Sequence, residues 1–236
     1  MQLKIHYKDD RFVVIDKPSG LLVHRTALDT QANEFAVQLL RDQIGYEVHP
    51  CHRLDRPTCG ALLFALDKAA LVHAKEQFLA KTVQKTYYAV VRGWPVDSGY
   101  VDYELRSEDN PEKVQESQTG FECVSRSELP HPVGRYQTAR FALMRLKPET
   151  GRRHQLRRHM AHIRHPILGD TTHGDGAQNR FIRQHFDCHR LLLRATELSF
   201  RNMDNHEVTV NAGMGTDFAL RLSSLGLASQ LETGLG

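Results

Sequence analysis

An acid stands between two arginines in His52-Arg53-Leu54-Asp55-Arg56, and the run turns through Pro57-Thr58-Cys59 into the apolar stretch Gly60-Ala61-Leu62-Leu63-Phe64-Ala65-Leu66. A charged turn mounted on a buried strand is rigid yet reachable, and flanking guanidinium groups favour the carboxylate form of Asp55. Such a carboxylate serves as a nucleophile or a base at neutral pH. Taken alone, the same residues also fit a turn with an ordinary surface ion pair, usually worth ~0–1 kcal/mol.

A second candidate lies between Arg152 and Arg164, which hold five arginines and three histidines without an acid. The segment reads as a helix whose apolar stripe is Leu156, Met160 and Ile163. Arg153, Arg157 and Arg164 fall along one flank of that stripe, where an arginine can reach a buried carboxylate. A solvated basic face with snorkelling stems gives the same pattern. Clustered guanidinium groups repel one another unless phosphate or carboxylate compensates, and their planar fork suits phosphate, so RNA is the partner this cluster points to. In the third candidate, Lys85 to Gly93, alternation sets Tyr87, Ala89 and Val91 on one strand face. A tyrosine there can stack on a base and make one directional hydrogen bond, or it can be a core aromatic. Tyr88 competes for either role.

The elements that must position these groups are read from periodicity. Leu3–Tyr7 and Phe12–Ile15 form a hairpin around Lys8-Asp9-Asp10, and Lys17-Pro18-Ser19-Gly20 closes its second strand. A helix is expected from Asn33, its cap, to Ile44, stopped by Gly45. Asp67 caps another that runs to Leu79. Thr86–Arg92 and Gln137–Lys147 read as strands, Gln178–His185 as a helix, and Leu191-Leu192-Leu193 as the start of a further strand. Arg106 to Ser117 is polar and expected to be an exposed, mobile excursion. Strands and helices alternate without a regular βαβ series. The expected class is α+β, a single domain over residues 1–236 with a mixed, mainly antiparallel central sheet flanked by helices.

Bulk properties narrow the function. The 236 residues, 40% hydrophobic and 25% charged, suit an ordinary globular protein. The excess of 31 Lys and Arg over 28 Asp and Glu is only +3, but it is unevenly placed, since Glu104 to Glu116 gathers five acids. No signal peptide or membrane-length apolar run is read, and the four cysteines form no CxxC pair, so a cytoplasmic, disulfide-free protein is expected. There is no GxxxxGK[ST] loop and no GxGxxG after a strand. His159 with His162, or His49 with His52, have spacing compatible with metal binding, yet neither pair has an evident completing ligand. No metal and no cofactor are expected.

Together, His52-Arg53-Leu54-Asp55 with Thr58 and Gly60, Lys85 through Gly93, and Thr150-Gly151-Arg152-Arg153-His154-Gln155-Leu156-Arg157 resemble the three motifs of the RluA-type pseudouridine synthases. Lys17-Pro18-Ser19-Gly20 resembles their N-terminal signature. Further stretches, among them Gly134-Arg135-Tyr136 and His173-Gly174-Asp175, are most similar to the branch acting on tRNA at position 65. The family also contains rRNA enzymes, which leaves rRNA as the alternative substrate. A non-catalytic RNA-binding module is a third reading, for which Asp55 would be dispensable.

The resemblance implies that Asp55 is the catalytic aspartate, Tyr87 the active-site tyrosine, Arg157 the basic partner of Asp55, and Arg53 an aid to base flipping. Lys17, Arg56, Arg152, Arg153, His154 and Arg158 are expected to meet the RNA. Cys59 stands where the family commonly has Ser, and Thr86 where it often has a basic residue. The implied reaction breaks the N1 glycosidic bond, turns the base and rejoins it through C5, without redox or nucleotide energy. A carboxylate can enter by attack on sugar or base, or by removing a sugar proton. The implied protein is a monomer with an RNA partner, no membrane, no obligate protein partner, and no room for the family's small N-terminal RNA-binding domain.

Overall fold

A computed structural model describes residues 1–24 and 34–228. In chain order it has β1 (Lys4–Lys8), β2 (Phe12–Lys17), α1 (Ala36–Ile44), β3 (His49–Pro50), β4 (Cys59–Ala65) and α2 (Lys68–Leu79). There follow β5 (Gln84–Arg92), β6 (Ser98–Asp102), β7 (Leu105–Arg106), β8 (Val114–Gln115), β9 (Gln118–Leu129) and β10 (Ala139–Pro148). The remainder is α3 (Gln155–His162), α4 (Gly176–Phe186), β11 (Leu193–Arg201), β12 (Glu207–Asn211) and α5 (Thr216–Ser224). The class is α+β with a mixed, mainly antiparallel sheet. No described helix is long and apolar enough to cross a membrane.

The chain divides into two compact units, 1–85 with 195–213, and 86–194 with 214–236. In the first, β2 pairs antiparallel with β1 and β4, β3 with β4, and β12 with β11. The runs Phe12–Ile15 and Cys59–Ala65 are buried throughout, as continuous apolar strands covered on both faces must be. Phe12, Leu63, Ala70, Leu198 and Phe200 share one core cluster. Asp67 caps α2 by accepting from the Ala70 N–H at 2.9 Å, as its sequence position implies, and Arg11 holds the same carboxylate at 2.6 Å. Gly45 ends α1 in the left-handed conformation and donates its N–H to the Arg41 carbonyl. The expected cap Asn33 lies outside the described residues, and the helix begins at Ala36 after the extended Phe35.

The β2–β4 register sets Lys17 opposite Gly60. Gly60 has φ +111°, and a Cβ added there would stand 1.9 Å from the Ala195 carbonyl oxygen. Both facts demand glycine directly after the Asp55 turn.

In the second unit the strands run β5-β10-β9-β6, all antiparallel. Their core joins Val90, Phe141, Leu143, Phe181, Leu192 and Phe218, which brings α4 and α5 against the sheet. Asp175 caps α4 through the N–H groups of Ala177 and Gln178. The stretch 106–117 carries β7 and β8 as a short hairpin, with Leu105 and Ser117 buried at its ends.

Gly60→Ala is expected to lower stability by more than about 3 kcal/mol, because the new methyl meets backbone rather than a yielding side chain. Urea unfolding would measure it. A loss within the range of a surface substitution would contradict the close approach.

Candidate active site

In the first unit, hydrogen bonds from side chains and one backbone N–H to backbone carbonyls join the turn bearing Asp55 to the Lys17–Leu21 loop. The Thr58 N–H closes it onto the Asp55 carbonyl at 3.0 Å. The Gly20 N–H, freed by φ +87°, reaches the Arg56 carbonyl at 2.9 Å, Arg56 Nε returns to the Gly20 carbonyl at 3.1 Å, and Ser19 Oγ donates to the Pro57 carbonyl at 2.8 Å. Lys17 Nζ donates to the carbonyls of Pro18, Leu21 and Arg56 at 3.0, 2.7 and 3.1 Å. Lys17 is wholly buried. Its ammonium therefore ties this loop to the Asp55 turn, and the expectation that Lys17 meets RNA phosphate is corrected: a cation inside the fold and bound to three carbonyls is not presented to a polyanion.

Around that anchor Asp55 is half-buried, and Arg53 and Arg56 are exposed. His52 accepts the Leu63 N–H through Nε2 at 3.1 Å and lies against Phe78 with ring centroids 5.1 Å apart. Burial, followed by the Lys85 charge, brings the His52 pKa down to about 3, so the imidazole is neutral and serves as an acceptor. Burial also moves the Cys51 thiol up to about 12, which makes it inert.

In the second unit, Tyr87 is buried on β5 opposite Leu146, and Tyr88 faces Arg145, which in turn holds Glu122. The basic segment forms a helix shorter than its sequence suggests, bounded by left-handed backbone at His154 (φ 55°) and Arg164 (φ 70°). Its inner residues are polar as well as apolar. Gln155 accepts from Thr150 Oγ1 and the Arg152 N–H, and donates to the Gln118 carbonyl and Thr119 Oγ1. His159, fully buried, meets Thr119 Oγ1 at 2.9 Å and Ser117 Oγ at 2.8 Å. Both ring nitrogens of that candidate metal histidine are thus engaged with hydroxyl groups.

Arg157 is 4% exposed and forms a side-on bidentate pair with Asp170, Nε to Oδ2 at 2.8 Å and Nη2 to Oδ1 at 2.7 Å. Asp170, 2% exposed, also accepts the N–H groups of Thr172 and His173. Burial alone would raise its pKa, but the Arg157 guanidinium and the two N–H donors outweigh burial and hold the carboxyl below the usual range. Asn179 braces the loop by donating to the Asp170 carbonyl at 2.7 Å and accepting the Gly169 N–H at 2.8 Å. Asp170 escaped the sequence reading. It is the first acid after Glu149, and a buried arginine in the intervening acid-free stretch needs one.

The remaining candidates, Arg152, Arg153, His154 and Arg158, project from the start and outer face of α3 and all touch the 106–117 stretch. Arg152 Nε donates to the Glu116 carbonyl and Arg158 Nη1 to the Arg106 carbonyl. Arg153 pairs with Glu108 at 2.9 Å and Asp109 at 3.1 Å, and His154 Nδ1 meets Glu108 at 2.9 Å. His173 joins them, its Nε2 3.1 Å from His154 Nδ1. Glu108, His154 and His173 have the donor types of a divalent-cation site and converge on one point.

A family model described as RNA pseudouridylate synthase matches residues 11–162, a stretch that includes Asp55, Tyr87 and Arg157. Over 224 residues the chain is 46% identical to a tRNA pseudouridine synthase C from Vibrio parahaemolyticus, with 91% of each chain covered. It is 48% identical over 219 residues to the tRNA pseudouridine synthase C of Yersinia pestis, covering 89% of this chain and 84% of the relative. The solved structure of human RNA pseudouridylate synthase domain containing 1 matches with a TM-score of 0.71 at 26% identity, over 90% of this chain and 83% of that one.

Asp170→Asn is expected to cost about 3–5 kcal/mol, as breaking one half of a buried pair does. The lowered Asp170 pKa contributes stability that is complete above the unfolded value of about 3.9 and is lost as pH falls through the folded one. The lowered His52 pKa contributes stability that is complete above about 6.5 and is lost as pH falls toward about 3. Denaturant midpoints measured from pH 7 to 3 should therefore fall continuously, less steeply below 6.5 in His52→Gln. A wild-type midpoint flat to pH 4 would refute the His52 assignment.

Proposed function

The chain belongs to the RNA pseudouridylate synthase family and is a synthase of the RluA type, and from that premise we propose that it isomerises uridine 65 of tRNA to pseudouridine. The tRNA substrate rests on the names borne by its close relatives, and position 65 on the branch its sequence resembles. Asp55 is the catalytic carboxylate in this reading. Tyr87 packs against or hydrogen-bonds the target base, Arg157 is the basic partner of the Asp55 charge, and Arg53 assists when the nucleotide leaves its stack. Removing a base from its stack costs a few kcal/mol, which contacts to backbone phosphate offset. Arg56, Arg152, Arg153, His154 and Arg158 supply those contacts.

The observation that carries the reading is the family match across 11–162, which takes in the acid, the tyrosine and the arginine within one span. The structure supports the division of labour within the third motif. Thr150, Gln155 and Arg157 face inward and are hydrogen-bonded, whereas Arg152, Arg153 and Arg158 are less buried and carry the charge outward.

Asp55→Asn is expected to keep the fold and the affinity for tRNA while losing pseudouridine formation by several orders of magnitude, read by carbodiimide-block primer extension. Substantial residual product would remove Asp55 from the chemistry. In a strain lacking the protein, pseudouridine should disappear from tRNA position 65. Its disappearance from rRNA instead would favour the alternative substrate.

A further inference from the structure

The contacts between the 106–117 hairpin and α3 have a pattern beyond simple packing. The hairpin turn, closed by the Ser107 N–H on the Lys113 carbonyl and the Lys113 N–H on the Asn110 carbonyl, delivers two adjacent carboxylates to one guanidinium. Glu108 Oε2 takes Arg153 Nε and Asp109 Oδ1 takes Arg153 Nη1, while Glu108 Oε1 turns to His154 Nδ1 at 2.9 Å and stands 4.0 Å from His173 Nε2. Acidic oxygens thus converge on an arginine fork and two imidazoles, the donor set that recognises a phosphodiester. Side-chain exposure is 15% for His154, 22% for His173, 29% for Glu108, 31% for Arg153 and 82% for Asp109. Exposed ion pairs of this kind exchange readily for another anion.

Resting on the function proposed above, we propose that Arg153, His154 and His173 form a binding site for an RNA backbone phosphate, which Glu108 and Asp109 occupy in the free protein. RNA binding then exchanges two carboxylates for one phosphate at the same arginine and imidazole N–H donors. Any RNA must displace the acids, so the site weakens loose, non-specific binding unless other contacts make up the difference. His173 lies outside the three motifs and acquires a role as the third phosphate ligand.

The test uses the full chain and fluorescence anisotropy with tRNA and with an unrelated RNA of equal length, after thermal melts establish that each variant is folded. The pair E108Q/D109N should tighten binding of both RNAs by about threefold to tenfold, the scale of one or two exposed pairs. His173→Ala should weaken tRNA binding. Arg153→Gln should cost more affinity in the E108Q/D109N background than in the wild type, where the arginine must first leave its acids. Unchanged or weaker binding by E108Q/D109N overturns the proposal. So does stoichiometric zinc in the purified wild type that is lost in His173→Ala, since the cluster would then be a metal site. Pseudouridine formation by the wild type is scored separately. Tightening without any product would retain the phosphate site and reject the synthase reading, and failure to bind either RNA would reject both.

Discussion

A guanidinium taken out of water must find a carboxylate, and the second unit is arranged around that requirement. Arg157 occupies the inner face of α3, and the 167–175 loop exists in its observed form to bring Asp170 to it. The loop has little latitude. A Cβ at Gly169 would meet the Arg190 carbonyl oxygen at 1.9 Å and one at Gly174 the Asp170 carbonyl oxygen at 2.0 Å. The Leu168 N–H is fixed to the Val90 carbonyl and the Leu192 N–H to the Leu168 carbonyl, so the pair is tied into β5 and the start of β11 as well as α4. Such a pair contributes orientation more than net stability, because desolvation of both ions offsets much of their attraction.

The first unit solves a similar problem with a different acceptor. Lys17 carries a charge into a wholly buried position, where its ammonium donates to three backbone carbonyls. The outcome is again a fixed loop, here the Asp55 turn. In both units a buried cation is used as a fastener, and the exposed arginines beside it are left to meet other charges. This separates two populations of basic residue that look alike in composition.

Local chemistry made much of the fold readable. The unbroken apolar runs of β2 and β4, the Asp67 cap and the Gly45 stop each depend on neighbours in sequence, and each stands where the pattern puts it. What depends on distant neighbours was less visible. β9 was missed because most of its residues are only partly buried and mix polar with apolar types. Lys17 was expected to meet RNA, whereas the fold buries it on β2 opposite Gly60. Motif spacing picked out Asp55, Tyr87 and Arg157, but not Asp170, whose role follows only once α3 and the 167–175 loop meet. The stretch 106–117 was read only as an exposed excursion, and the attachment of its acids to Arg153 is a matter of tertiary placement.

The first unit is discontinuous, closed by residues 195–213 after the whole of 86–194 has been made. Leu198, Phe200 and Val210 belong to the same apolar cluster as Phe12 and Leu63. On a ribosome, therefore, the N-terminal strands emerge first yet cannot complete their core until residues 195–213 follow, and β4 waits with apolar surface uncovered while the middle of the chain is translated. Such an interval is when strands associate with the wrong partner. Synthesis rate and chaperone supply thus bear on the yield of this protein through the order in which its two cores can close.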